Sequence, residues 1–107
     1  MTTKVYTWDE VRAIVAADAE GRGHYQQMNG RTCAIGGLAK AAGLLNANWF
    51  NRSKFGEVFP MFGKRIEREG KVTNINDSFT NKQLTKRRAA LDDQFAVWQA
   101  EDKGVIA

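Results

Sequence analysis

"TNKQLTKRRAALDDQFAVWQAEDKG", residues 80–104, is the stretch on which the fold turns. Thr80 followed by Gln83 makes a capping box, in which each side chain satisfies a backbone N–H of the other residue. Behind it Leu84, Leu91, Phe95 and Trp98 recur at helical spacing, and Gly104 stands just past Lys103 as a stop signal. At ~1.5 Å per residue such a helix is roughly 35 Å long, enough to span a small domain. Arg88 falls inside the apolar stripe, so it must snorkel, pair with Asp92 one turn on, or meet a partner.

A long helix needs others to pack on, and the N-terminal half supplies them. Thr7 and Glu10 form a second capping box, followed by Trp8, Val11, Val15 and Ala19 on one face, with Gly21 and Gly23 as the stop. In "GRTCAIGGLAKAAG", residues 30–43, Thr32 caps a helix from Cys33 to Ala42 that Gly43 ends. Ala34, Ile35, Leu38 and Ala42 share one side of it; Cys33, Gly36, Gly37 and Lys40 share the other. Interior glycine costs about 1 kcal/mol against alanine, and a strip bare of side chains lets a backbone or a ligand come close. Between these helices Asn29-Gly30 suits a two-residue hairpin, and a β-ribbon and a tight loop both fit.

The middle of the chain, "NANWFNRSKFGEVFPMFGKRIEREG", is aromatic and basic at once. Phe55, Phe59, Phe62 and Ile66 lie within about 60° on a helical wheel and are expected in the core, with Lys54, Met61, Arg65 and Arg68 together on one flank. Pro60 removes a hydrogen bond and crowds residue 56, a glycine, so a kinked helix and two short ones both fit. Gly70 closes this region, and "KVTNIND" reads as a short extended segment because β-branched and polar residues alternate.

Composition places these elements in one domain, residues 1–107. A hydrophobic share of 43% with 10% aromatics is too apolar for disorder. One cysteine excludes an internal disulfide, and one histidine with one cysteine is too little for a conventional zinc site, so neither metal nor cofactor is expected. No stretch approaches ~18 apolar residues, and "MTTKVYTWDEV" lacks the core of a signal peptide, which implies a cytoplasmic protein off the membrane. The net charge of +4 is uneven: residues 52–88 hold ten Lys or Arg against four acids. That asymmetry favours an anionic partner.

Three groups of residues are candidates for function. Cys33 at a helix N-terminus is placed where N–H groups stabilise a thiolate, with His24 as the base and Asp77 or Asn76 to orient it; this is the catalytic reading, a cysteine-dependent hydrolase or transferase, weighed against a plainly packed thiol. Cys33, Gly36, Gly37 and Lys40 together with Asn76 and Asp77 form a second group, a pocket for a small anionic ligand floored by the glycines, weighed against simple helix packing. Arg52, Lys54, Arg65, Arg68, Lys86 and Arg87 form the third, able to contact phosphates, with Trp49 and Phe50 to stack on bases. No helix-turn-helix, zinc-finger or RRM signature accompanies them.

The order of features resembles a group of small uncharacterised proteins from actinobacterial phages and their hosts. The matching elements are "NGRTCAIGGLAKAAG" and "NINDSFTNKQL", on the pattern G-x-x-C-x-x-G-[AG]-L with a later N-D pair: Gly30, Cys33, Gly36, Leu38, Asn76 and Asp77. Ile75 stands where that pattern has a tryptophan. The resemblance implies a phage accessory protein acting inside a bacterial cell. The expectation is therefore a mainly α bundle of four to five helices with a long C-terminal helix and room for a short β-hairpin or β-ribbon. Its function would be non-catalytic binding of a host protein or small anion, with nucleic-acid binding through residues 52–88 as the alternative. A homodimer is compatible with this reading.

Overall fold

The computed structural model describes residues 4–20, 32–46 and 49–104, the side chains of residues 46, 49 and 104 excepted. It is mainly helical, with the expected long C-terminal helix. The first helix, α1, runs Trp8–Ala17 behind the Thr7–Glu10 capping box. It ends before the expected glycine stop, which lies outside the described residues, because its carbonyl end is held from elsewhere. Ala19 is buried in a left-handed conformation (φ 64°), where a side chain is strained. Its carbonyl accepts from the Arg87 Nη1 at 2.7 Å, and the Asp18 carbonyl accepts from the Arg88 Nε at 2.8 Å. Two guanidinium groups at a helix C-terminus also meet the negative end of its dipole.

Helix α2 spans Ala34–Ala41, and its cap is Cys33 rather than Thr32: the thiol Sγ accepts from the Gly36 N–H, while the Thr32 hydroxyl donates to Asp18 Oδ1 at 3.0 Å. Gly43 (φ 75°) ends it as expected, with the Gly43 N–H on the Lys40 carbonyl and the Leu44 N–H on the Ala39 carbonyl. Ala34 through Ala39 are all buried, so α2 has no solvent face until Lys40. A two-stranded antiparallel ribbon follows, β1 (Leu45–Asn46) against β2 (Trp49–Phe50), pairing Leu45 with Phe50. The ribbon considered at Asn29-Gly30 lies outside the described residues.

The aromatic stretch forms two short helices, α3 (Arg52–Val58) and α4 (Pro60–Gly63). A residue before proline is pushed out of the helical region, and Phe59 has φ −118° and ψ 73°. The turn is tight: a Cβ on Gly63 would lie 2.2 Å from the Gly56 carbonyl oxygen, so the two backbones touch. Phe55, Phe59 and Phe62 are buried as expected, but Ile66 is 78% exposed. The wheel that placed it inside assumed one continuous helix, and the α-helix is interrupted between Gly63 and Glu67.

A second correction concerns residues 71–77. They belong to helix α5 (Glu67–Asp77) and not to an extended segment, and Gly70 lies inside that helix instead of closing the region before it. The buried positions of α5 are Arg68, Val72 and Asn76, spaced four apart. A 3₁₀ turn (Asn81–Gln83), held by the Thr80–Gln83 capping box, opens α6, Leu84–Gly104. Six α-helices thus occur among the described residues, against the four to five expected.

The core is an aromatic cluster closed by α6. Trp8 packs at 5.8 Å from Phe62, 5.7 Å from Phe95 and 6.1 Å from Trp98, measured between ring centres. Phe55 and Phe59 continue it at 4.8 Å, and Tyr6 stacks on Phe59 at 4.6 Å. Offset and edge-on pairs at these separations each add about 0.5–1.5 kcal/mol beyond the area they bury. No helix among the described residues is long and apolar enough to cross a membrane.

Candidate functional site

The structure brings the Cys33 helix and the Asn76–Asp77 pair together, as a filled contact. Asn76 is fully buried, and its Oδ1 accepts from the Ala34 N–H at 3.1 Å, while its Nδ2 donates to Asp77 Oδ1 at 3.1 Å. The carboxamide thus caps α2 from a distance of 42 residues. Gly37 sits in a tight place: a Cβ there would lie 3.0 Å from the Asp18 carboxylate and 3.2 Å from Thr32 Oγ1, so those side chains would have to shift slightly. Gly36 is buried beside it, and Lys40 points to solvent. Cys33 is 5% exposed, and burial raises its thiol above the ordinary range, with the Gly36 and Ile35 N–H groups pulling weakly the other way. A protonated, covered thiol is a poor nucleophile. His24, the base of the catalytic reading, lies outside the described residues.

The basic group separates into interior and surface members. Arg68 and Arg87 are not surface cations. Arg87 is fully buried, donating to the carbonyls of Ala19 and Phe79 and to Asn81 Oδ1. The helical face that carries Leu91 and Phe95 also carries position 87, which is why it turns inward. Arg68 is 2% exposed, donating to both carboxylate oxygens of Asp102 at 2.9 and 3.0 Å, with its guanidinium over the rings of Trp98 and Trp8 at 5.1 and 5.7 Å. The remaining cations are at the surface. Arg52 pairs with Glu69 at 2.6 Å and lies over the Phe50 ring, and Lys54 pairs with Glu57 at 3.4 Å. Arg65 is loosely paired with Glu67 at 3.8 Å, and Lys86 is exposed. Of Trp49 only the backbone is described.

Part of this flank builds a cleft. An open depression of about 490 Å³ lies where α1, α4 and the end of α6 meet. Trp8, Pro60 and Met61 give it apolar walls, Lys64 and Arg65 stand at its mouth, and the Arg68–Asp102 pair forms its floor. Hydrogen bonds tie the floor together. Asp102 Oδ2 also accepts from the Trp8 indole N–H at 2.8 Å, so one carboxylate fixes the guanidinium and the indole together. The Arg68 hydrogen bonds, chiefly, hold the Asp102 carboxyl below the usual carboxylate range, and the positive charge of Arg65 adds to the effect. Lys64 has no ion-pair partner among the described residues.

Met61, Arg65 and Arg68 were legible as one flank from their spacing. Lys64 belongs to the same local run and was missed. Thr7, Trp8 and Asp102 enter from the two ends of the chain, and no local signal links them. A second cleft, about 450 Å³, lies between Ile75, Phe79, Ala90 and Val97. Neither cleft takes a residue from the Cys33–Asn76 contact. No three His, Cys, Asp or Glu side chains come together to hold a metal among the described residues.

No protein-family model matches the chain, and no curated protein or solved structure is significantly similar to it.

Proposed function

We propose that this chain is a non-catalytic binding protein whose cleft beside Trp8 receives an anionic group of a partner, in the manner of the phage accessory protein that its motifs resemble. The observation that carries this reading is the placement of Lys64 and Arg65, both exposed, at the mouth of an open cleft walled by Trp8 and Met61. Low-dielectric walls strengthen an ionic contact made beside them. The covered, protonated Cys33 supports binding over catalysis. The engagement of Asn76 with the Ala34 N–H and the contacts around Gly37 support the cleft over the Cys33–Asp77 pocket as the ligand site.

The test follows the Trp8 indole N–H by NMR during titration with citrate and with inorganic phosphate at low salt. Addition of either anion shifts that resonance in the wild type and in Cys33→Ser, and not in the double variant Lys64→Glu, Arg65→Glu. A Trp8 resonance indifferent to both anions defeats the reading.

A further inference from the structure

We infer that the partner at this cleft is a protein, recognised through a short acidic segment that carries a bulky apolar side chain next to its carboxylates. This rests on the anion-binding reading above and adds the chemistry of what binds. Three features of the cleft select it. The walls are apolar for most of their extent, through Trp8, Pro60 and Met61, which a small inorganic anion would leave uncovered. Methionine and tryptophan are the side chains that adapt to and anchor a protein partner.

The second feature is Ile66. It follows Arg65, one of the cleft residues, directly in the chain, and 78% of it faces water. Covering it removes apolar surface from water, a gain that an apolar residue of a peptide collects and a phosphate does not. An exposed aliphatic group between the charged side chains of Arg65 and Glu67 is the arrangement of an interface with an apolar centre and a polar rim.

The third is the distribution of negative charge. Asp102 lines the floor, Glu101 lies 3.6 Å from Arg68, and Glu67 lies 3.8 Å from Arg65. Carboxylates interspersed at these positions repel a run of phosphodiesters, in which every residue of the ligand is charged. A segment with one or two carboxylates facing Lys64 and Arg65 avoids them. Three arginines that gave the sequence its basic character, Arg68, Arg87 and Arg88, are meanwhile engaged inside the fold.

The experiment compares probes by fluorescence anisotropy: a panel of short labelled Asp/Glu peptides whose central pair is varied through the apolar residues, the same peptide with a Ser-Ser centre, and a labelled oligothymidine. The best apolar-centred peptide is expected to bind about tenfold more tightly than the Ser-Ser peptide. Ile66→Ser narrows that gap without weakening the Ser-Ser peptide, and Lys64→Glu with Arg65→Glu weakens both. All three positions are exposed, so the variants keep the fold, which circular dichroism checks. Equal affinity for all the peptides overturns this inference and leaves the anion-binding reading standing. Tighter binding of the oligothymidine than of every peptide overturns it in favour of nucleic acid. Absence of any binding that depends on Lys64 and Arg65 overturns both.

Discussion

Cys33 and Asn76 show how a polar side chain is consumed by the fold that it was expected to serve chemically. The Cys33 Sγ sits where a serine or aspartate usually caps a helix, accepting from the Gly36 N–H at 3.4 Å. Burial raises its folded-state pKa. The resulting stability is fully present below the unfolded thiol range and is lost as pH rises through the folded value. Iodoacetamide is therefore expected to modify Cys33 at neutral pH far more slowly than a free thiol such as glutathione, and Cys33→Ser to leave anion binding unchanged. Equal rates would show that the thiol is open. For Asn76 the expected effect is on stability: Asn76→Ala leaves the buried Ala34 N–H without its Oδ1 acceptor and costs about 2 kcal/mol in urea denaturation. A cost near zero would mean that the α2 cap is dispensable.

Helices declared themselves in the sequence where caps and periodicity agreed, and vanished where the buried face was polar. The starts and buried faces of α1 and α6 were legible because each begins with a capping box and repeats large apolar residues. Helix α5 was not, since the positions it buries are Arg68, Val72 and Asn76, and an arginine and an asparagine give no apolar period. Gly70 and the β-branched residues after it deepened the error. Within α5 Gly70 is exposed with nothing within 4 Å of a would-be Cβ. Gly70→Ala should therefore stabilise the protein by about 0.5–1 kcal/mol. The opposite holds at the α3–α4 turn. Gly63→Ala sets a Cβ against the Gly56 backbone, where no flexible side chain can yield, and should cost about 2 kcal/mol or more. Urea midpoints that moved together for the two variants would contradict this contrast. The glycine strip of α2 was read as a place for another backbone or a ligand, whereas the neighbours at Gly37 are side chains, the Asp18 carboxylate just past α1 and the Thr32 hydroxyl, and such a contact has no local signature. The cleft was legible to the same partial degree, through the Met61–Arg65–Arg68 flank alone.

Two arginine–aspartate pairs bind α6 to the rest of the molecule, and they give the whole structure a defined response to acid. Arg12 of α1 holds both oxygens of Asp92 at 2.8 and 2.9 Å, and Arg68 of α5 holds both oxygens of Asp102. Each arginine's hydrogen bonds are the leading cause that lowers its partner's pKa from the ordinary 3.8. A carboxyl whose folded pKa is depressed contributes stability above its unfolded pKa, and that contribution is lost as pH falls through the folded value. The melting temperature should accordingly be level from neutrality to about pH 5 and decline progressively below about pH 4. Asp92 and Asp102 are 43% and 34% exposed, so solvent screens both pairs and the decline is gradual. Asp102 is the more telling of the two, because its protonation also frees the Trp8 indole N–H and the buried Arg68 guanidinium at the cleft floor. Asp102→Asn should melt lower than the wild type at neutral pH and show a shallower acid decline, with the two curves converging as pH falls. A wild-type melting temperature that stayed level down to pH 3, or an unchanged slope in Asp102→Asn, would mean that the Arg68–Asp102 pair does not fasten α6 to the cleft.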